Sequence, residues 1–229
     1  MSERPEKFDP TTVTIPAWYR PIFTVVGAVL GLVLAFLVGP LVGWLVDQFG
    51  EAPLILRALD QLSLAWVLPI LVAFGGIAGF VICTSWMDDS GAIEVADWGI
   101  TLHHKTDDRF LSKDRMTLLV ASEKELVVLD GDAEVYRGGI EDEMVPGLRA
   151  ALEEHDYPPL ADADPFAADF TDWIDGDGRK DAAVDDLLRA RKRALSDKKD
   201  GEADAALEKL RAAGVAVRDR KGRQQYRLV

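Results

Sequence analysis

Two apolar runs, residues 22–46 and 61–87, constrain this chain more than any other feature, and neither holds a charged residue. A helix needs about 20 apolar residues, rising about 1.5 Å each, to cross the hydrocarbon core of a bilayer. Both runs exceed that length and are too long for the core helices of a small domain. Aromatic side chains stand where interfaces are expected: Trp18, Tyr19 and Trp44 around the first run, Trp66 and Trp86 at the ends of the second. From Trp66 to Trp86 a helix rises about 30 Å, the hydrocarbon thickness. The pairs Gly27/Gly31, Gly39/Gly43 and Gly75/Gly79 have the small-xxx-small spacing that lets membrane helices meet backbone to backbone. These six glycines are the expected helix-packing residues. Pro40 and Pro69 each remove a backbone donor and are expected to kink their helices.

Orientation follows from the Lys and Arg near the helix ends. Arg4, Lys7 and Arg20 precede the first run, Arg57 alone occupies residues 47–60, and Lys105 and Arg109 follow the second. Both termini are therefore expected in the cytoplasm, in a multi-pass protein of the cell membrane. The mixed charges of the first 20 residues and the length of the apolar run argue against a cleaved signal peptide. Within the loop, residues 53–62 place Leu54, Ile55, Leu59 and Leu62 on one side of a short interfacial helix.

Beyond residue 92 the periodicity changes to short strands. Ile93 and Val95 alternate, a break follows at Trp98-Gly99, and Ile100 and Leu102 alternate again. Residues 117–120 and 126–129 are apolar and β-rich, joined by a hairpin loop at 122–125. Asp130-Gly131 turns the chain into residues 133–136. Residues 141–155 then read as a helix, with Met144, Val145, Leu148 and Leu152 at helical spacing. This is an antiparallel β unit closed by one helix, in the order of a small β-roll of pleckstrin-homology (PH) type. Residues 158–178 are rich in Pro, Ala and Asp. They read as an acidic, flexible linker pinned to a neighbouring domain by Phe166, Phe170 and Trp173.

Charge divides the chain. Residues 179–229 hold fifteen Lys and Arg against nine Asp and Glu, a surplus of six. Residues 1–178 hold eleven against thirty, a deficit of nineteen. Such asymmetry points to modules with different partners, and net acidity opposes a soluble part lying flat on an anionic leaflet. In the basic segment, residues 181–198 form an amphipathic helix with Val184, Leu187, Leu188, Arg191 and Leu195 on one face. A second helix, 202–213, stops at Gly214. Residues 215–218 and 224–229 are two strands about a basic turn at 219–222. The expected fold class is thus a membrane α-hairpin plus an α+β soluble part. Its domains are a cytoplasmic tail (1–20), a two-helix transmembrane hairpin (21–88), a PH-like β-roll (89–157), an acidic linker (158–178) and a winged-helix-like helix-helix-hairpin domain (179–229).

Two resemblances attach here. Leu187-Leu-Arg-Ala-Arg191, Glu208-Lys-Leu-Arg-Ala-Ala-Gly214-Val-Ala-Val-Arg218-Asp219 and Gln225-Tyr226-Arg227 resemble the C-terminal tail of bacterial cysteinyl-tRNA synthetases over about 45 residues. The whole chain, with two apolar runs, Leu126-Val-Val-Leu-Asp130 and Val217-Arg-Asp219, resembles the YqeB-like membrane proteins of Gram-positive bacteria, especially actinobacteria. That resemblance implies a PH-like domain joined to a synthetase-tail domain, and no activity. The synthetase core motifs are missing, so tRNA charging is not expected.

Catalytic constellations are sparse. Three His and Cys83, which lies inside the second run, do not make a zinc set, and His103-His104 on a strand point to opposite faces. Asp175-Gly-Asp177-Gly continues into Arg179 and Lys180 where a calcium loop needs a ligand and Gly. There is no nucleophile elbow, phosphate loop or dinucleotide motif. No catalytic residue, cofactor or metal is expected, and the chain reads as a non-enzyme. The one charged constellation is Arg189, Lys192, Arg193, Arg218, Arg220, Lys221 and Arg223, a phosphate-binding or partner-binding face with 219–223 as its wing. The segment 105–115 mixes Lys105, Arg109, Lys113 and Arg115 with three Asp, a balance that disfavours lipid head-group recognition. The leading reading is a scaffold or adaptor that holds two cytoplasmic interaction domains at the bilayer and docks a protein partner. The alternatives are a membrane-tethered protein binding tRNA-like RNA and an accessory subunit of a larger membrane complex. The sequence names neither the partner nor the oligomeric state.

Overall fold

The computed structural model describes residues 9–49, 64–103, 108–178 and 180–229. The interfacial helix expected at 53–62, Lys105 and Arg179 lie outside the described residues. The described chain forms two compact units, the apolar helices and the rest.

The first unit pairs α1 (Tyr19–Phe49) with α2 (Leu64–Ser90). Both helices continue through their prolines, Pro40 and Pro69. Their low polarity all round is what a lipid-facing helix requires. Val25, Val29, Phe36, Phe74, Ile77 and Ile82 all stand exposed. The stretches Tyr19–Leu41 and Ala65–Ser90 are long and apolar enough to cross a membrane. Hydroxyls inside the helices are satisfied locally: Thr24 donates to the Arg20 carbonyl and Thr84 to that of Phe80. Near one end of the pair Trp86 packs edge-on against Tyr19 and stacks on Phe23.

The second unit is built on three sheets. The first has the order β1 (Thr11–Val13), β2 (Ala92–Ala96), β3 (Gly99–His103), β4 (Asp108–Ser112), with β1 antiparallel to β2. The segment expected as a cytoplasmic tail therefore supplies an edge strand at Thr11–Val13. Val13 is buried, and the Thr11 hydroxyl donates to Glu154 and meets the His155 ring at 3.1 Å. The second sheet runs β7 (Ala133–Gly139), β6 (Glu125–Asp130), β5 (Leu118–Ser122), β8 (Leu160–Ala161). A shift of register between Val128 and Leu129 marks a bulge. It lets Glu134 and Arg137, an odd number of residues apart, meet at 2.9 Å. The helix α3 (Val145–Glu154) follows a short 3-10 turn and buries Leu148, Ala151 and Leu152.

The third sheet joins β10 (Val215–Arg220), β11 (Arg223–Leu228) and β9 (Thr171–Asp172). Against it lie α4 (Ala182–Ser196) and α5 (Asp200–Ala212). The core there is Trp173, Leu188, Leu210, Val215, Val217 and Tyr226. Asp181 caps α4 by accepting from the Ala183 amide, and Gly214, at φ +71°, ends α5.

The stretch 158–178 is not a free linker. It contributes β8, parallel to β5, and β9, antiparallel to β11. Its Trp173 sits in the C-terminal core and donates to Asp185 at 2.8 Å. Phe170 is buried under three guanidinium groups, those of Arg218 at 4.1 Å, Arg137 at 5.2 Å and Arg227 at 5.8 Å from its ring centre. Arg227 also covers Phe166 at 4.3 Å. Cations over aromatic faces gain about 0.5–2 kcal/mol each, most where water is excluded. These stacks tie the β-roll to the C-terminal part across the segment.

Candidate functional site

The two tight turns at the basic end of the molecule have the same backbone. Lys221 and Gly222, between β10 and β11, have φ of +51° and +75°. Glu123 and Lys124, between β5 and β6, have +54° and +63°. Two consecutive positive φ values make the hairpin turn whose twist matches that of its strands. The first turn places Arg220 opposite Arg223, and the second projects Glu123 to form an ion pair with Arg220.

Between them lies a cleft of about 560 Å³, lined by Glu123, Asp172, Arg218, Arg220, Lys221, Arg223 and Gln225. Asp172 organises one wall. It accepts from Gln225 Nε2 at 2.7 Å and from Arg223 Nη1 at 2.5 Å. Those hydrogen bonds, the Gln225 amide first, hold its carboxyl below the ordinary range. Arg218 is buried. Its Nε donates to Gln225 Oε1 at 2.7 Å and its Nη2 to the Ala167 carbonyl at 3.0 Å. Among the described residues no carboxylate lies within ion-pair distance of it. Burial, then the neighbouring Arg137 cation, lowers its pKa.

The structure brings Arg218, Arg220, Lys221 and Arg223 together in this cleft. Arg189, Lys192 and Arg193 do not line it, so the seven expected residues do not form one face around it. Arg189 is held by Asp175, Asp185 and Asp186 at 2.5–2.8 Å, which raises its pKa. Lys192 lies over the Trp173 ring at 5.4 Å, while Arg193 is exposed. Arg191, which the sequence places on the apolar face, is buried and donates to Gln224 and Asp219. Glu123 and Asp172 were not singled out in the sequence, and Gln225 entered only through the synthetase-tail resemblance. Glu123 falls in an ordinary-looking hairpin loop, and Asp172 in the supposed linker.

Of the six glycines, four build the contact between α1 and α2. A Cβ at Gly27 would overlap the Gly75 carbonyl, one at Gly75 the Gly27 carbonyl, one at Gly31 the Leu71 carbonyl and one at Gly79 the Phe23 carbonyl. Gly39 and Gly43 do not belong to it. Gly39 is exposed and a Cβ at Gly43 meets nothing within 4 Å. At that level Ala35, Val38 and Val67 fill the contact instead.

Beyond the basic end, a buried ionic network crosses the unit. Arg137 donates to Glu125 at 2.6 Å, Glu134 at 2.9 Å and Asp164 at 3.0 Å. Arg109 reaches Glu208 at 2.7 Å, and Glu208 also accepts from Arg211. Burial pushes the Glu134 carboxyl up despite Arg137 beside it.

A roll of short strands closed by α3, entered by β1 before the apolar helices and by β2 after them, defines a bacterial PH-type domain. The sequence matches the YqeB-like bacterial PH domain over residues 11–160, and the chain belongs to that family. Residues 178–227 match the cysteinyl-tRNA ligase anticodon binding domain. Uncharacterized protein YqeB of Bacillus subtilis (strain 168) is 26% identical over 204 residues, which is 83% of this chain and 83% of that protein. No solved structure matches the chain.

Proposed function

We propose that this protein is a non-enzymatic membrane scaffold. Its apolar hairpin anchors the PH-like roll and the C-terminal part at the cytoplasmic face of the cell membrane, with both termini inside. The observation that carries this reading is the pairing of β1 with β2 across the hairpin, Thr11 opposite Val95. A sheet with its strands on either side of the hairpin keeps both hairpin ends on one face of the bilayer. The few Lys and Arg near the ends favour the cytoplasm for that face. Confinement raises the effective concentration of a docked partner to about the millimolar range, so weak docking gives useful occupancy.

RNA binding by residues 179–229 is the second reading, favoured by the cleft with its four cations and by the similarity to an anticodon binding domain. It is the weaker one. A groove that tracks a phosphate backbone needs uncommitted Lys and Arg, whereas Arg189, Arg191, Arg220 and Arg223 already hold carboxylates.

Tags at either terminus, probed in intact cells and in inverted vesicles, test the topology. Both should be reached only in inverted vesicles, and a tag accessible from outside intact cells ends the reading. Replacing the hairpin by a Gly/Ser linker tests the scaffold. Proteins recovered with the intact chain in mild detergent should leave the membrane fraction when the hairpin is gone. A partner whose location ignores that change is not being scaffolded.

A further inference from the structure

The cleft at the basic end has an imbalance that its own carboxylates do not remove. Four cations face two carboxylates, Glu123 and Asp172. Each carboxylate is bound to a rim arginine, Glu123 to Arg220 and Asp172 to Arg223. Arg218 and Lys221 are left over. Arg218 is held by neutral acceptors, the Gln225 amide oxygen and the Ala167 carbonyl, and stacked on Phe170. Its Nη1 has no acceptor among the described residues. Asp164, Glu125 and Glu134 act on it only from beyond ion-pair distance, so a bound anion would be its first direct ionic partner. Lys221 stands at the tip of the turn, exposed and with no ion-pair partner among the described residues. The cleft volume of about 560 Å³ falls within the range of small-ligand sites. Two carboxylates in its lining disfavour a long polyanion and leave room for a compact one.

We propose that this cleft is a binding site for a phosphate-bearing ligand, with Arg218 at its base, Lys221 and Arg223 at its rim, and Glu123 as the internal anion that holds Arg220 until the ligand displaces it. The planar fork of arginine suits phosphate oxygens, and the turn lysine adds a point charge. The site stands or falls independently of the scaffold reading, because it needs neither the hairpin nor a protein partner.

The test is calorimetric titration of the full chain in non-ionic detergent with inorganic pyrophosphate at low salt. The expected result is saturable binding that weakens as salt rises. Lys221→Glu and Arg223→Gln should each weaken it about tenfold or more. Glu123→Gln should strengthen it a few-fold by releasing Arg220. Because Lys221 is exposed in a turn, its variant folds even if Arg218→Gln does not. Nanodiscs of phosphatidylcholine with and without a phosphoinositide separate the sources of the phosphate. Competition by the doped discs assigns a lipid head group, and unchanged titration assigns a soluble ligand. No binding at low salt overturns the proposal, as does binding indifferent to Lys221→Glu and Arg223→Gln. A structured RNA that binds and is not displaced by pyrophosphate also overturns it, and gives the basic end to RNA.

Discussion

Thr11 and Val95 stand opposite one another in an antiparallel strand pair, with both long apolar helices between them in the chain. The hairpin is therefore an insertion into the PH-like domain, and β1 belongs to the fold it precedes. Thr11 is further tied to α3 through Glu154 and to His155, whose ring meets Asp97 at 2.7 Å.

Val13→Asp is expected to unseat β1. It places an unpaired charge at a buried position of a three-residue strand, a change that costs several kcal/mol or forces the strand to detach. Urea unfolding of the detergent-solubilised protein should show the loss, while Thr12→Ala, at an exposed position, should stay within about 0.5 kcal/mol of the parent. Equal stability of Val13→Asp and the parent would mean that the edge strand contributes nothing.

Gly75→Leu and Gly43→Leu separate packing from mere glycine content in the helices. The first forces a side chain into the Gly27 carbonyl, and overpacking of this kind costs about 1–3 kcal/mol. The second meets open space and should leave the hairpin unchanged. Disulfide cross-linking between cysteines placed on α1 and α2 should fall in the first variant alone.

Arg137→Met leaves Glu134 buried without its nearest cation, a loss of about 3–5 kcal/mol. The sign of the pH dependence follows from the raised Glu134 carboxyl. The folded protein keeps that proton to higher pH than the unfolded chain. Its contribution to stability is therefore full below the ordinary Glu value of 4.5 and declines as pH rises through the raised value. The Arg137→Met deficit should accordingly be smaller at pH 5 than at pH 8, and Glu134→Gln in the same background should flatten the difference. A deficit that grows toward low pH would contradict this.

Trp173→Ala should cost about 3–5 kcal/mol, since it empties a core position and removes the indole donor to Asp185. For the same reason limited proteolysis of the parent should spare residues 160–173 and begin to cut there in the variant. Ready cleavage of the parent would restore the flexible linker.

His103 carries a smaller and cleaner signal. The hydrogen bond to Asp108, helped by Glu94, raises its pKa above the ordinary 6.5. Any stabilisation by its charged form is present below that value and is lost as pH rises through the raised one. The ring resonances should titrate above 6.5 in the parent and move back toward it in Asp108→Asn.

Strong periodicity made much of the fold legible. The apolar run expected at 22–46 lies within α1, and the one expected at 61–87 coincides with α2 over residues 64–87. The alternation at 93–95 and 100–102, the apolar strands at 117–120 and 126–129 and the two C-terminal helices appear within a few residues of expectation. Most of the missed elements are short and distant; β4 is neither, being five residues paired with its chain neighbour β3 where no strand was expected from the sequence. β1, β8 and β9 have two or three residues each and take their partners from strands far along the chain. Three residues carry too little pattern to be read locally. In the cleft, Arg218, Arg220, Lys221 and Arg223 were legible as a charge cluster. Glu123 and Asp172 were not, because they come from distant stretches of the chain and no spacing links them to the turn.

By itself the sequence determined which stretches are long and apolar enough to cross a membrane and where most helices and longer strands fall, because both depend on local periodicity and on the solvation of consecutive residues. Only the tertiary structure decided that the hairpin interrupts a sheet, that residues 158–178 are part of the packed unit and that most of the C-terminal arginines already hold a partner. Those are matters of which distant groups meet. An apolar run keeps its meaning wherever it is placed, whereas a charge has a function only once its neighbours are known.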